Sequence, residues 1–346
     1  MTRGLRIERL GLVLALALVL TAWEKGHTTT GTPTPTPALP EKIVVLGTPY
    51  PLSDAVWMAE VRGFFKEEGL NVEMVPVSSG PAGTEAFRTG VGDVLLVGDL
   101  PAINNWFSLN RDVRIMTVIE RDAENYWAVT KREITRPQDL IGKKIGTRLG
   151  STGSYFVDVY LKKNGIDPGQ VDVLNLETPT LVPALDRGDI DAFFIYEPFP
   201  TRAEAVSGTK VHRLSSATGY VVGYAIVTGR RSFLEKYPEA ATRLLRAIIK
   251  GNEFSANNKD VVIKYFWDVH KVPADISELT YKLMGRAVGL DHQFYSDLCQ
   301  EFRWAQSVGM RKAEEELVLT DWVWRDGLLA IDPSRAPEPP GRTCPP

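Results

Sequence analysis

A chain of 346 residues is long enough for about two domains, on a norm of roughly 100–200 residues each. Apolar residues make up 44% and charged residues 24%, which excludes a disordered chain and a multi-span membrane protein. The net charge of −3 leaves no basic field for nucleic acid or anionic membrane, and two cysteines (Cys299 and Cys344) with four scattered histidines argue against a disulfide scaffold or a metal centre.

In chain order, Arg3, Arg6 and Arg9 precede an apolar run from Leu10 to Leu20, closed by Thr21-Ala22. This pattern predicts a secretory signal over residues 1–22. The run is shorter than the roughly 20 residues that a membrane span takes. Leu20-Thr21-Ala22-Trp23 matches a bacterial lipoprotein box except at its last position. Trp23 stands where the lipid-carrying cysteine would be, so export without a lipid anchor is expected. Residues 23–41 read as a Thr/Pro-rich linker, because alternate prolines deny the backbone its donors and favour extended conformations.

From there strands and helices alternate. Ile43–Leu46 is a β-branched run entering a loop at Gly47 and Pro49. Ser53-Asp54 cap a helix that carries Trp57, Met58, Val61, Phe64 and Phe65 on one face. Strands are predicted over Leu70–Val77, Asp93–Val97 and Val113–Ile119, with a helix around Thr84–Thr89. The pattern restarts near Pro137 with strands at Lys144–Gly146, Val171–Leu174 and Ala192–Ile195, and helices at Ser154–Lys163 and Leu181–Arg187. Continuous apolar strands alternating with helices imply mainly parallel sheets covered on both faces. Ala86 to Val94 aligns without gaps to Ala184 to Ala192, each passing through a helix-ending glycine to an aspartate that opens a strand. Six residues beyond these aspartates stand Asp99 and Glu197, which suggests duplication. Helices follow over Phe233–Gly251, Ser255–Phe266, Asp275–Val288 and Tyr295–Val308, returning to the first half. Asp332–Pro346 holds six prolines and reads as a disordered tail.

Ligands of open parallel sheets bind beyond the carboxyl ends of the strands. Four loops lie there: Thr48–Asp54 with Tyr50 and Ser53, Ser78–Gly83 with Ser79 and Gly80, Gly98–Ala102 with Asp99, and Thr147–Ser154 with Arg148, Ser151, Thr152 and Gly153. Hydroxyls and glycines before a helix leave backbone N–H groups exposed, and helix N-termini favour negative charge. The same residues are also ordinary caps. Arg148 is a guanidinium able to form a bidentate pair with an oxyanion. Tyr50, Tyr196 and Tyr220 sit in loops and are candidates for stacking. Asp99 and Glu197 could bind an amine, cap a helix or latch two lobes. No dinucleotide, P-loop, nucleophile-elbow or zinc-protease motif occurs.

Three segments carry a resemblance: Trp57 to Glu73 (WMAEVRGFFKEEGLNVE), Asp139 to Gly146 (DLIGKKIG) and Ala192 to Pro198 (AFFIYEP). In that order they resemble extracytoplasmic solute-binding proteins of the nitrate/sulfonate/taurine and thiamine-pyrimidine type, over about residues 42–250. The resemblance implies a two-lobed type II periplasmic-binding-protein fold with a ligand cleft between the lobes, lobe one holding residues 42–128 and 226–331 and lobe two residues 131–222. It implies crossovers near Trp127–Lys131 and Tyr220–Thr228, and contacts from the four loops together with Tyr196, Glu197 and Tyr220. It further implies a periplasmic, non-enzymatic and monomeric component of an ABC importer. Such a component needs no cofactor, takes a small anionic solute (sulfonate, taurine or nitrate) and delivers it to a permease. The alternatives are a thiamine-type pyrimidine as the solute, or an enzyme of the same fold.

Overall fold

The computed structural model describes residues 39–345, so the expected signal and most of the linker lie outside the described residues. Eleven strands are described: Ile43–Gly47 (β1), Val72–Pro76 (β2), Val94–Gly98 (β3), Arg114–Asp122 (β4), Tyr126–Lys131 (β5), Lys144–Thr147 (β6), Asp172–Asn175 (β7), Ala192–Tyr196 (β8), Val211–Ser216 (β9), Gly223–Gly229 (β10) and Gly285–Gly289 (β11). They form two sheets, in the orders β11-β4-β10-β3-β1-β2 and β7-β6-β8-β5-β9.

Each sheet is mixed but mainly parallel in strand direction, as expected: β1, β2, β3 and β4 run one way in the first sheet, and β6, β7, β8 and β9 in the second. β1 runs parallel to β2 and β3, and β6 runs parallel to β7 and β8. The remaining pairs are antiparallel, because β10 enters the first sheet from the second and β5 enters the second from the first. A strand arriving from the other lobe needs no crossover helix, so nothing forces it to run parallel. The two crossings fall between Asp122 and Tyr126 and between Ser216 and Gly223. The outgoing crossing is thus a few residues earlier than the sequence suggested, and Trp127–Lys131 already belongs to the second sheet.

The gapless internal match has a structural cause. Asp93 donates its N–H to Val44 O (2.8 Å) and accepts Val44 N–H on its carboxylate (2.9 Å). Asp191 makes the same pair of bonds with Lys144, at 2.8 and 2.9 Å. In both halves the aspartate locks the start of the third strand to the first.

The helices after Arg230 pack on the first sheet. Leu244, Ile248, Phe294, Phe302 and Trp322 share one buried core with Ile43, Val45 and Leu95. Helix Pro238–Asn257 crosses helix Asp54–Val61 so tightly that a Cβ on Gly251 would lie 2.0 Å from Ala55 O. The expected helix Asp275–Val288 ends at Leu283, and its remainder becomes the edge strand β11. Residues 332–345 are built into lobe one, where a disordered tail was expected. Arg325 donates to Ala336 O (3.0 and 2.7 Å) and the Tyr295 hydroxyl to Pro337 O (3.1 Å). Prolines lack donors but keep their carbonyls, and here those of the tail accept. Cys299 and Cys344, too few for a disulfide scaffold, are joined in a single disulfide that ties the expected tail to lobe one.

Candidate functional site

The carboxyl ends of the parallel strands in both sheets face one cleft of about 1000 Å³, its open mouth included. Of the residues singled out from sequence, Tyr50, Ser53, Gly80, Gly98, Arg148, Ser151, Thr152, Gly153 and Tyr196 line it. Ser79, Asp99, Glu197 and Tyr220 do not, and each has another task.

Among the helix N-termini that reach the cleft are the two singled out for their hydroxyls and glycines. At helix Gly80–Arg88 the Ser79 hydroxyl accepts Ala82 N–H (3.2 Å) and Pro81 has no N–H, which leaves Gly80 N–H as the one forward donor. At helix Thr152–Lys163, Ser151 N–H turns back to Arg148 O (3.2 Å), as does its hydroxyl (2.6 Å). The N–H groups of Thr152 and Gly153 open the helix and have no acceptor among the described residues, as expected of a first turn. A Cβ at Gly153 would lie 2.7 Å from Phe194 O, so only glycine lets this turn sit against β8. Among the described residues, Arg148 is the only cation lining the cleft. It is steadied by Asn175 (3.2 Å) and by Glu177 (3.3 Å), and its Nε is buried without a partner.

Asp99 opens helix Asp99–Ser108 and is fully buried. Its carboxylate accepts the Thr152 hydroxyl from the other lobe, Tyr224 N–H of β10 (3.0 Å) and its neighbour Leu100 N–H (2.8 Å). Burial nonetheless raises it to about 6, these bonds opposing the shift. Among the three roles open to Asp99 in the sequence, the structure shows a latch between lobes. Glu197 is equally buried, but it holds Arg213 (2.5 Å) and the Thr201 N–H (3.1 Å) inside lobe two. Tyr220 packs on Phe156 and Tyr160 below the second sheet, and its hydroxyl accepts from Asn164 (3.2 Å).

Other cleft residues escaped the sequence reading. Tyr126 stands edge-on to Tyr196, 5.7 Å between ring centres, and fits because a Cβ on Gly223 would lie 2.4 Å from its ring. Glu120 and Asp122, at the end of β4, and Asn125 in the crossing also line the cleft. Burial raises Glu120 far above the ordinary carboxylate range, with Asp122 and Asp54 adding repulsion, and raises Asp122 to about 7. The signal for them was present: Ile119-Glu120-Arg121-Asp122 puts acids at the end of an apolar strand, as Asp99 and Glu197 do.

Two α/β lobes joined by two crossings, with helix N-termini converging on the cleft between them, define the class of periplasmic binding proteins. The chain belongs to the NMT1/THI5-like family, whose model matches residues 53–261. It is 29% identical to the taurine-binding periplasmic protein of Escherichia coli, over 62% of this chain and 65% of that protein's length. Among solved structures it resembles the alkanesulfonate-binding protein SsuA from Xanthomonas axonopodis pv. citri bound to MOPS, with a TM-score of 0.71 and 17% identity over 83% of this chain and 99% of that one. The nitrate-binding protein NrtA from Synechocystis PCC 6803 superposes with a TM-score of 0.68 and 15% identity, over 87% and 92% of the two chains. At these identities the structural likeness speaks for the fold.

Proposed function

We propose that this protein is the solute-binding component of an ABC importer, capturing a small oxyanion of the sulfonate type and handing it to a membrane permease. The observation that carries this reading is the pair of unused N–H donors of Thr152 and Gly153, beside Arg148, at the head of a 12-residue helix in the cleft. Such a terminus holds an anion through aligned donors and the helix dipole, and the guanidinium adds a planar fork that matches a sulfonate edge. Gly80 N–H comes from the opposite lobe, so an oxyanion held by both would favour closure. The taurine-binding relative supports the same solute class, and its periplasmic location supports export of this chain. No catalytic role is proposed for the cleft: its buried acids are spread along a strand end, and the site reads as one for binding and release by a monomer. Titration calorimetry of the protein against methanesulfonate, ethanesulfonate, taurine, nitrate and a thiamine-type pyrimidine tests this, with saturable binding of sulfonates expected. Binding of the pyrimidine alone, stacked by Tyr50, Tyr126 or Tyr196, would replace it.

A further inference from the structure

The cleft is electrically two-ended. Thr152, Gly153 and Arg148 present donors and positive charge from lobe two. At the end of β4, in lobe one, Glu120, Asp122 and Asn125 do the reverse. They are 4%, 6% and 2% exposed, and each keeps a buried side-chain oxygen without a hydrogen-bond donor among the described residues. Orphaned buried acceptors of this kind are costly and call for a partner.

Protein cations nearby are already committed. Arg286 stands opposite Glu120 in the β4–β11 register, but its guanidinium pairs with Asp54 (2.5 Å) and lies over the Tyr281 ring. Arg121 pairs with Asp291. Asp122 accepts Glu124 and Asn125 N–H on one carboxylate oxygen (2.5 and 3.0 Å), which fixes the residue and leaves the other oxygen free. Gly98, Ala225 and Glu120 lie side by side on β3, β10 and β4, so the acidic end stands two strand spacings, roughly 10 Å, from Gly98. The Thr152 hydroxyl is 3.9 Å from the Cβ position of Gly98. A small solute could touch both ends.

We infer that Glu120, Asp122 and Asn125 form a subsite for a protonated amine, so that the cleft selects amino-bearing oxyanions over plain ones. This rests on the oxyanion reading and adds the second pole. A plain oxyanion would leave the acceptors unsatisfied, whereas an ammonium group supplies three donors to three acceptors and favours the ionised form of carboxyls that burial otherwise keeps protonated.

Taurine and ethanesulfonate share a sulfonate on a two-carbon chain and differ at the ammonium group, so their titration into the protein isolates this subsite. Taurine is expected to bind roughly 10- to 100-fold more tightly, the worth of one or two charge-assisted hydrogen bonds. In the Glu120→Gln/Asp122→Asn protein that preference should fall below about threefold, with ethanesulfonate bound at least as tightly as before. Equal affinity of the unsubstituted protein for both solutes would overturn the inference and leave the oxyanion reading standing. A preference that survives the double substitution would overturn the assignment to these residues. Binding of neither solute would overturn the oxyanion reading itself. The first comparison needs no variant, so a substitution that unfolds the protein does not blunt the test.

Discussion

Asp99 in lobe one accepts the hydroxyl of Thr152 in lobe two, and the backbone N–H of Thr152 is one of the two donors that its helix leaves facing the cleft. The residue that would hold the solute is therefore also the residue that ties the lobes together. Closure and anion binding share one turn of helix.

Thr152→Val keeps the backbone donor and removes the tie. Losing a hydrogen bond to a buried carboxylate should weaken solute binding by about 1.5–3 kcal/mol, roughly 10- to 100-fold in Kd. Small-angle scattering of the ligand-free variant should show a more expanded particle than the unsubstituted protein. Unchanged scattering and affinity would mean that the bond does not govern closure.

Glu197→Gln should act on stability and leave binding almost alone. Removing one partner from a buried pair typically costs about 3–5 kcal/mol, and Arg213 keeps Glu204 (3.0 Å), so the lower end is expected. Denaturant unfolding should register the loss, while affinity for a sulfonate changes less than about twofold.

Stability should fall as pH rises. Burial lifts Asp54 and Asp99 to about 6 and Asp122 to about 7, against about 3.9 in an unfolded chain. Between those values the folded protein holds more protons than the unfolded one, so this contribution is complete below about pH 4 and is lost by about pH 7. Ligand-free protein should therefore resist urea better at about pH 5 than at about pH 8, and Asp122→Asn should flatten the difference. A stability that climbs across this interval would show that these carboxyls ionise freely.

Reducing the Cys299–Cys344 bond, which joins residues 45 apart in sequence, should lower unfolding free energy by about 2–4 kcal/mol. The affected region is the end of lobe one, where Leu290 N–H donates to Arg335 O (2.7 Å), and not the cleft. Sulfonate affinity should be the same with and without reductant.

The sequence made the scaffold legible wherever local rules decide it. β-branched runs marked β1 and β3, and the glycine-to-aspartate spacing picked out the likeness of the two halves because Asp93 and Asp191 each answer a backbone pair in the first strand of its half. Capping composition located the Thr152 helix terminus. What stayed hidden depends on the third dimension. Asp99 and Glu197 occupy equivalent positions in the repeat, yet one meets the other lobe and the other meets Arg213, a difference that no spacing encodes. The mainly parallel sheets were legible from the βα repeat, but the antiparallel β5 and β10 were not, because strands exchanged between lobes obey the hinge. The tail misled because its prolines forbid donating, while its carbonyls and Cys344 find partners far off in sequence.

The most direct test of the account is a crystal structure of the protein with ethanesulfonate or taurine bound. Sulfonate oxygens are expected within hydrogen-bond distance of Thr152 N–H and Gly153 N–H, with the Arg148 guanidinium alongside. A sulfonate bound elsewhere, with the Thr152 helix terminus turned to water, would contradict it.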